Sequence, residues 1–449
     1  MMLIKSISGI RGIVNNGFDN DTITQFAIAF SNLQDKGPIL IARDGRSHGL
    51  KFLKKLSDIL LSKNRTVIDC GVVPTPTAQY IVAKNNYSGG IIITASHNPT
   101  DWNGLKFIDH DGCFLNPGKS QILLDSALNI LDNLNINDNN KIIDYHEESI
   151  REHLDNIINL SVINLKRIQD KKYKVVIDAV NSSASKILPL LLDKLNCKVI
   201  PINCDSNGEF TRGAEPLPAN LSEISKTVID NCADFGIATD PDGDRLAIID
   251  EYGSPIGEES TLIICCDSLL RDGKIKAPII TNLSTSMAID KLANHYNVNI
   301  TRSKVGEIHV VNEMKKVEAT IGGEGNGGVI LSESHHGRDS LVATALLLNR
   351  LSMENITMNE LYKKIPHYKI IKDFIKTDKL LNQDFIHLIK EKLNPPEINE
   401  LDGIKLIWPD KWIHIRKSNT EPIIRFYSEA EEIEDSNRLI ATSKELFNS

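Results

Sequence analysis

No Cys-x-x-Cys pair occurs in this chain, and its cysteines (Cys70, Cys113, Cys197, Cys204, Cys232, Cys265 and Cys266) are odd in number. The missing pair argues against a zinc site, and together the two features predict a reduced, cytoplasmic setting. Apolar runs are short, and none approaches the roughly 20 residues needed to span a bilayer. The longest, such as Gly90 to Ala95, read as buried strands, so no membrane partner is expected. Met1 to Arg11 lacks the apolar core of a signal peptide. A basic excess is missing too. The net charge of -8 disfavours nucleic-acid binding through a broad basic surface.

What is present is a globular composition, 41% hydrophobic and 24% charged over 449 residues. That length accommodates about three or four domains. Strand-like and helix-like segments alternate. Pro38 to Arg43, Thr66 to Cys70 and Gly90 to Thr94 read as strands, with helical spacing over Leu50 to Lys63 and Thr77 to Lys84. The rhythm restarts at Lys174 to Asp178 and again at Pro278 to Thr281, which predicts α/β layers with largely parallel sheets. Breaks are expected near Asn129 to Lys141, Gly253 to Glu259 and Pro366 to Lys372. The last stretch differs: short strands around Gly403 to Trp408, Trp412 to Ile415 and Pro422 to Tyr427 precede a helix from Glu432 to Leu446, an α+β pattern.

The most informative segment is Asp240-Pro241-Asp242-Gly243-Asp244-Arg245. Carboxylates at alternate positions converge on one small volume, which suits a hard divalent cation, and the following arginine suits phosphate oxygens. An EF-hand is the rival reading. It requires glycine where Arg245 stands and helices where the flanks read as strands. Upstream, Thr94-Ala95-Ser96-His97-Asn98-Pro99 follows a strand directly, and Asn98-Pro99 forces a tight exposed loop. Ser96 is therefore a candidate nucleophile, against the plainer reading of a turn serine.

Gly322 to Gly328 brings glycines around Glu324 and Asn326, a loop able to approach a ligand closely and bond sugar hydroxyls. It lacks the Gly-Lys-Ser/Thr ending of a phosphate-binding Walker loop. Arg416-Lys417-Ser418-Asn419-Thr420-Glu421-Pro422, with Arg425 beyond, gathers donors into a phosphate cradle. Arg11 and Lys106 are candidate cations for the nucleophile loop. Arg43-Asp44-Gly45-Arg46 reads as a structural ion-pair turn, and His335 and His336 lie on a polar loop without evident partners.

These motifs, in this order over essentially the whole chain, resemble the α-D-phosphohexomutase superfamily. The resemblance implies an α/β protein of four domains around a cleft: residues 1–145, 146–255 and 256–367 as similar α/β units, and 368–449 as an α+β unit closing over substrate. It implies a phosphorylated Ser96 and Mg²⁺ held by Asp240, Asp242, Asp244 and, through its phosphate oxygen, Ser96. Glu324 and Asn326 would bind sugar hydroxyls, and Arg416, Ser418, Asn419 and Thr420, with Arg425 beside them, the non-reacting phosphate. Arg11, Lys106 and Arg245 would stabilise the transferred charge. A hexose 1,6-bisphosphate would serve as activator, a phosphorylated hexose or hexosamine as substrate, and the protein would act as a monomer or homodimer.

Two departures stand out. Many hexose-phosphate mutases end the sugar loop in Ser-Gly-His, where this chain has Asn326-Gly327-Gly328, and some carry histidine in place of Glu307. Lys106, Glu307 and His97 are accordingly all candidates for proton transfer. The Gly-Glu-Gly-Asn-Gly-Gly form resembles phosphoglucosamine- and phosphomannomutase-like members, which implies glucosamine phosphate as substrate, with mannose or glucose phosphate as the alternative. Outside mutase chemistry, a phosphatase using Asp240 and a non-catalytic sugar-phosphate sensor are the competing readings.

Overall fold

The computed structural model describes residues 3–7, 9–128, 141–275, 277–377, 381–418 and 422–448. The loop expected over Asn129 to Lys141 lies, apart from its last residue, outside them. The strands are, in chain order, β1 (Ile4–Ser6), β2 (Gly9–Val14), β3 (Gly17–Phe18), β4 (Ile39–Arg43), β5 (Val67–Val72), β6 (Gly89–Ile93), β7 (Trp102–Asp109), β8 (Ile142–Asp144), β9 (Lys174–Asp178), β10 (Lys198–Ile202), β11 (Phe235–Thr239), β12 (Leu246–Ile249), β13 (Ile279–Asn282), β14 (Ile300–Ser303), β15 (Ile321–Glu324), β16 (Gly328–Leu331), β17 (Lys369–Lys376), β18 (Glu397–Asn399), β19 (Ile404–Ile407), β20 (Lys411–Lys417) and β21 (Ile423–Ala430).

They form separate sheets that share one plan. The second runs β10-β9-β11-β12 and the third β14-β13-β15-β16, each with three parallel strands and a last antiparallel one. The first sheet contains the same unit as β5-β4-β6-β7, extended by β2, β1 and β3 on one side and β8 on the other. The central strands are short apolar runs such as Ile39-Leu40-Ile41-Ala42, buried on both faces, as parallel strands sandwiched by helices must be, whereas edge strands such as β10 are partly exposed. Some helices begin at side-chain caps, for example Asp19, whose carboxylate accepts the Thr22 N–H at 2.9 Å. The fourth sheet, β17-β21-β20-β19-β18, is antiparallel. The α/β class and the four-part layout are as the sequence predicts.

The break placed at Pro366 to Lys372 is only partly a break. β17 already starts at Lys369, where Lys-Ile-Ile-Lys-Asp-Phe-Ile-Lys makes a half-exposed edge strand whose lysines discourage further pairing.

One continuous apolar core runs through the three α/β units, whereas the fourth has its own, built around Ile389, Ile404, Leu406, Ile413, Ile424 and Phe426. The seam between the third and fourth units is largely polar. Lys405 Nζ bonds Leu283 O at 2.6 Å, Ser284 Oγ lies 2.9 Å from His414 Nδ1, and Glu429 accepts the Met287 N–H at 2.7 Å. A polar seam between separate cores leaves the fourth unit freer to shift than the other three. Among the described residues no helix is long and apolar enough to cross a membrane.

The shared plan matters for function. The turn from the third to the fourth strand of each repeat carries a signature: Ser96 between β6 and β7, the aspartate run between β11 and β12, the glycine-rich loop between β15 and β16. These turns lie at the carboxyl ends of parallel strands, where open α/β sheets bind ligands.

Candidate active site

Ser96 adopts φ 50°, the left-handed region, which for a residue with a Cβ costs roughly 1–2 kcal/mol. Its surroundings hold it there. Thr94 Oγ1 accepts the Ser96 N–H at 2.8 Å and donates to Asp44 Oδ2 at 2.6 Å. Arg46, fully buried, pairs with Asp44 and donates to Ser96 O at 3.0 Å and to Asn98 O. The Arg43 to Arg46 turn is thus an ion-pair turn that also clamps the nucleophile loop. From β2, Arg11 donates to Asn98 Oδ1 at 3.1 Å. Ser96 Oγ lies 3.4 Å from His97 Nδ1, which also faces an Arg245 guanidinium nitrogen at 3.1 Å. Burial, then the charges of Arg245 and Arg11, push the His97 imidazole well below its ordinary pKa, so it is neutral at pH 7.

The aspartate run is braced from outside. Thr75 N–H and Oγ1 bond Asp242 O and Oδ2 at 2.8 and 3.2 Å, and the Ser182 and Ser183 hydroxyls bond Pro241 O at 2.6 and 2.8 Å. Asp240, Asp242 and Asp244 are all buried, with one oxygen of each within 4.8 Å of the others. Among the described residues, Asp240 Oδ2, Asp242 Oδ1 and Asp244 Oδ1 accept no hydrogen bond. Buried carboxylate oxygens without donors are rare unless a cation or water completes them, and this donor set fits a hard divalent ion. Burial first, then Asp244 and Asp242, raise the Asp240 carboxyl well above the usual range. Burial acts the same way on Asp242, but Lys106 outweighs it and pulls that carboxyl down. Lys106 Nζ, from β7, bonds Asp242 Oδ2 and lies 3.4 Å from Asp244 Oδ2. Although burial opposes it, this pair of carboxylates raises the lysine pKa and keeps it charged. Arg245 pairs with Glu215 and lies 3.8 Å from Asp244 Oδ1.

In the glycine-rich loop Glu324 is buried and fully oriented. Its Oε1 accepts Asn282 Nδ2 at 2.8 Å and the Gly306 N–H at 3.0 Å; its Oε2 accepts Arg338 at 2.7 Å. Asn326 instead turns onto its own loop, accepting the Gly328 N–H at 3.2 Å. Glu307 opens the helix Glu307–Val317 and accepts Arg338 Nε at 3.0 Å. Burial raises its carboxyl, with Arg338 opposing.

In the fourth unit, β20 and β21 place Arg416 and Arg425 directly opposite each other. Like charges in a cross-strand pair repel, and a bound anion relieves the repulsion. Burial, and the Arg425 charge against the help of Asp402, lower the Arg416 pKa. The Ser418 N–H bonds Ile423 O at 2.9 Å. Asn419 and Thr420 lie outside the described residues.

The structure therefore joins Ser96, His97, Arg245, Arg11, Lys106, the aspartates, Glu307 and Glu324 into one buried polar cluster. Arg416 reaches it indirectly: it lies 3.7 Å from Asp402 Oδ2, which accepts the Val305 N–H at 3.0 Å beside the Gly306–Glu324 bond. Sequence reasoning missed Arg338, whose remaining nitrogen donates to Asp244 Oδ2 at 2.6 Å. The available signal was Gly337-Arg338-Asp339, an arginine beside the Asp339 cap of the helix Ser340–Ser352. It also missed the partners of His335, which lies 3.1 Å from Asp339 Oδ2, with His153 on the same oxygen at 3.0 Å.

Repeated α/β units, an aspartate triplet open to a cation and a paired-arginine cradle define an enzyme built around phosphate-bearing ligands. Family models for phosphoglucomutase/phosphomannomutase α/β/α domains I, II and III match residues 3–132, 151–253 and 258–368. The chain belongs to that family, within the α-D-phosphohexomutase superfamily, and is a phosphohexomutase, an isomerase. It is 31% identical to a phosphoglucosamine/phosphogalactosamine mutase of Sulfurisphaera tokodaii (98% of this chain, 97% of the relative). It is 32% identical to a phosphoglucomutase/phosphomannomutase of Thermococcus kodakarensis (96% and 95%). A solved structure of a putative phosphomannomutase from Thermus thermophilus shares the fold with TM-score 0.86 at 22% identity, covering 99% of each chain.

Proposed function

We propose that this chain interconverts glucosamine 6-phosphate and glucosamine 1-phosphate through a phosphorylated Ser96 and a 1,6-bisphosphate intermediate. The observation that carries the reading is the convergence of the Ser96 loop on the aspartate triplet with its donorless oxygens. The amino-sugar assignment draws on relatives named phosphoglucosamine mutase, such as those of Sulfurisphaera tokodaii and Methanopyrus kandleri. A phosphomannomutase/phosphoglucomutase with the same mechanism is the second reading, favoured by the Thermococcus kodakarensis relative.

In the first step the sugar O1 attacks the phosphorus of phosphorylated Ser96. The P–Oγ bond breaks, Oγ leaves as an oxyanion neutralised by the surrounding cations, and the hydroxyl proton passes to Glu307, whose raised carboxyl suits a base better than the already protonated Lys106 or His97, whose basicity burial and the neighbouring arginines depress. The bisphosphate turns over, Ser96 Oγ attacks the phosphorus of the 6-phosphate, the P–O6 bond breaks, and O6 takes back the proton from Glu307, which regenerates the phosphoserine and releases glucosamine 1-phosphate. Asp240, Asp242 and Asp244, with a phosphate oxygen on Ser96, would hold Mg²⁺, which would help neutralise the transferring group's charge. Arg11, Lys106 and Arg245 share that neutralisation. Glu324 and Asn326 bind sugar hydroxyls, and Arg416, Ser418, Asn419, Thr420 and Arg425 hold the phosphate that is not reacting. The separately cored fourth unit closes over the cleft and excludes water, which protects the phosphoserine from hydrolysis. All these groups lie on one chain, so a monomer or a homodimer in the cytoplasm suffices.

The test is an assay with Mg²⁺ and a catalytic amount of the matching 1,6-bisphosphate, running glucosamine 6-phosphate, mannose 1-phosphate and glucose 1-phosphate side by side. The reading predicts the highest kcat/KM for the amino sugar and no turnover in Ser96→Ala. Phosphate release that survives Ser96→Ala would instead indicate the phosphatase.

A further inference from the structure

Arg338 ties the aspartate run of the second unit to the glycine-rich loop of the third. It is buried at 8% exposure, and three carboxylates from two units divide its guanidinium: Nε on Glu307 at 3.0 Å, one terminal nitrogen on Glu324 at 2.7 Å, the other on Asp244 at 2.6 Å. A planar fork with fixed donor directions can hold three acceptors in a set relation, as the single point charge of lysine cannot. The backbone beneath it is equally fixed. The next residue, Asp339, caps the helix Ser340–Ser352 through the Leu341 N–H at 2.8 Å, and its other oxygen takes both His153 and His335. His153 is itself bonded to Thr77 of the first unit at 2.9 Å.

To reach the cleft the Arg338 side chain crosses Gly328. A Cβ on Gly328 would lie 2.3 Å from Arg338 Cδ and 3.0 Å from Cγ. Cδ belongs to the stem of a side chain whose head is fixed in three places, so it cannot swing aside without breaking those pairs. Gly328 is not at a positive φ, so its backbone conformation suits alanine; the crowding there comes first from the Arg338 stem and then, at 3.1 Å, from Asn326 Oδ1, which accepts the Gly328 N–H. The glycine ending of the sugar loop keeps that path open.

We infer that Arg338 is a positioning residue that sets sugar specificity, and that Gly328 is the opening it requires. Glu324 has its Oε1 fixed by Asn282 and Gly306, and among the described residues only Arg338 fixes its Oε2. Without the arginine that carboxylate rotates, and the register between the sugar-binding loop and Asp244 is lost. The aspartate oxygen facing the cation position is Oδ1, whereas Arg338 holds Oδ2. Sugar binding therefore depends on Arg338 far more than Mg²⁺ binding does. The inference rests on the mutase reading above for the identity of the ligand.

The experiment is calorimetry on the dephosphorylated full chain, measuring Kd for glucosamine 6-phosphate, mannose 6-phosphate and Mg²⁺ in wild type, Arg338→Lys, Gly328→Ala and the double variant. Losing one charged hydrogen bond to Glu324 weakens sugar phosphate by about tenfold, the equivalent of about 1.4 kcal/mol. Each single variant is expected to show that loss, a ratio of amino-sugar to mannose affinity that falls towards one, and a Mg²⁺ Kd within about threefold of wild type. The double variant should be no weaker than Arg338→Lys alone, because both substitutions remove the same contact. Independent, additive penalties would overturn the inference. So would equal losses of sugar and Mg²⁺ binding, or an unchanged sugar Kd in Arg338→Lys. Isomerase assays on the wild type run in parallel: absence of turnover there refutes the mutase reading, while the coupling between positions 328 and 338 is read from binding alone.

Discussion

Replacing Arg46 with lysine isolates what holds the nucleophile loop. Lysine keeps a positive charge for Asp44 but cannot fork to the Ser96 and Asn98 carbonyls, which Arg46 satisfies at 3.0 Å and by a shorter bond. It also gives up the stack over Phe210, whose ring centroid lies 5.0 Å from the guanidinium carbon. Each lost charged hydrogen bond is worth about 1.5–3 kcal/mol. The loop has an intrinsic reason to leave as well, because Ser96 at φ 50° carries the left-handed penalty. Taking the low end for two bonds, opening of Thr94 to Asn98 should become easier by about 3 kcal/mol, or roughly 100-fold in exchange rate. The assay is native-state hydrogen exchange at the Ser96 and Asn98 amides, which are bonded to Thr94 Oγ1 at 2.8 Å and Ala95 O at 3.1 Å. The rate at which the 1,6-bisphosphate phosphorylates Ser96 is measured alongside. We expect fast local exchange, a slowed phosphorylation and ordinary protection in the fourth unit. Exchange within twofold of wild type, with unchanged phosphorylation, would refute the clamp.

Lys106→Met removes one partner from a buried ion cluster, so the metal-free protein should lose about 3 kcal/mol or more, and added Mg²⁺ should raise its melting temperature more than it raises that of wild type. Arg416→Gln relieves the repulsion opposite Arg425; the ligand-free fourth unit should gain a few tenths to about 1 kcal/mol in denaturant melts, while KM for sugar phosphate rises at least about tenfold. Glu259 is a third case: burial raises its carboxyl to about 8. A carboxyl raised in the folded state binds more protons there than when unfolded, so its ionisation removes stability as pH climbs from about 4.5 to about 8. Glu259→Gln should match wild type near pH 4 and exceed its stability above pH 8, and parallel melting curves across that range would show that the group does not titrate this way.

The class of fold was legible because many strands of the α/β units are short apolar runs rich in Ile and Val, with helical spacing between them. The repeat was legible as a restarting strand–helix rhythm but not as recurring residues, because the units share strand order and the position of one turn, and neither requires shared residues. The start of the edge strand Lys369–Lys376 was hidden because it falls inside the break expected over Pro366 to Lys372, and its lysines, which keep an edge soluble, interrupt the apolar pattern. The site was legible where the chemistry sits in short contiguous motifs, as in Asp240 to Arg245. It was not legible where one side chain bridges distant segments. Arg338 carries no motif of its own, and its contacts to Asp244, Glu307 and Glu324 exist only after the units pack. Arg46 read correctly as a local ion pair, but its reach to Ser96, 50 residues away, is a tertiary fact.

The most direct test of the central claim follows one phosphoryl group. Protein carrying a radiolabelled phosphate on Ser96 is mixed, in a single turnover with Mg²⁺, with unlabelled glucosamine 6-phosphate, and the label is traced. The account predicts label first in the 1,6-bisphosphate and then, for each sugar isomerised, in glucosamine 1-phosphate, with the sugar's original unlabelled phosphate now on Ser96. Label released only as inorganic phosphate, or retained on Ser96 while the sugar isomerises, would contradict it.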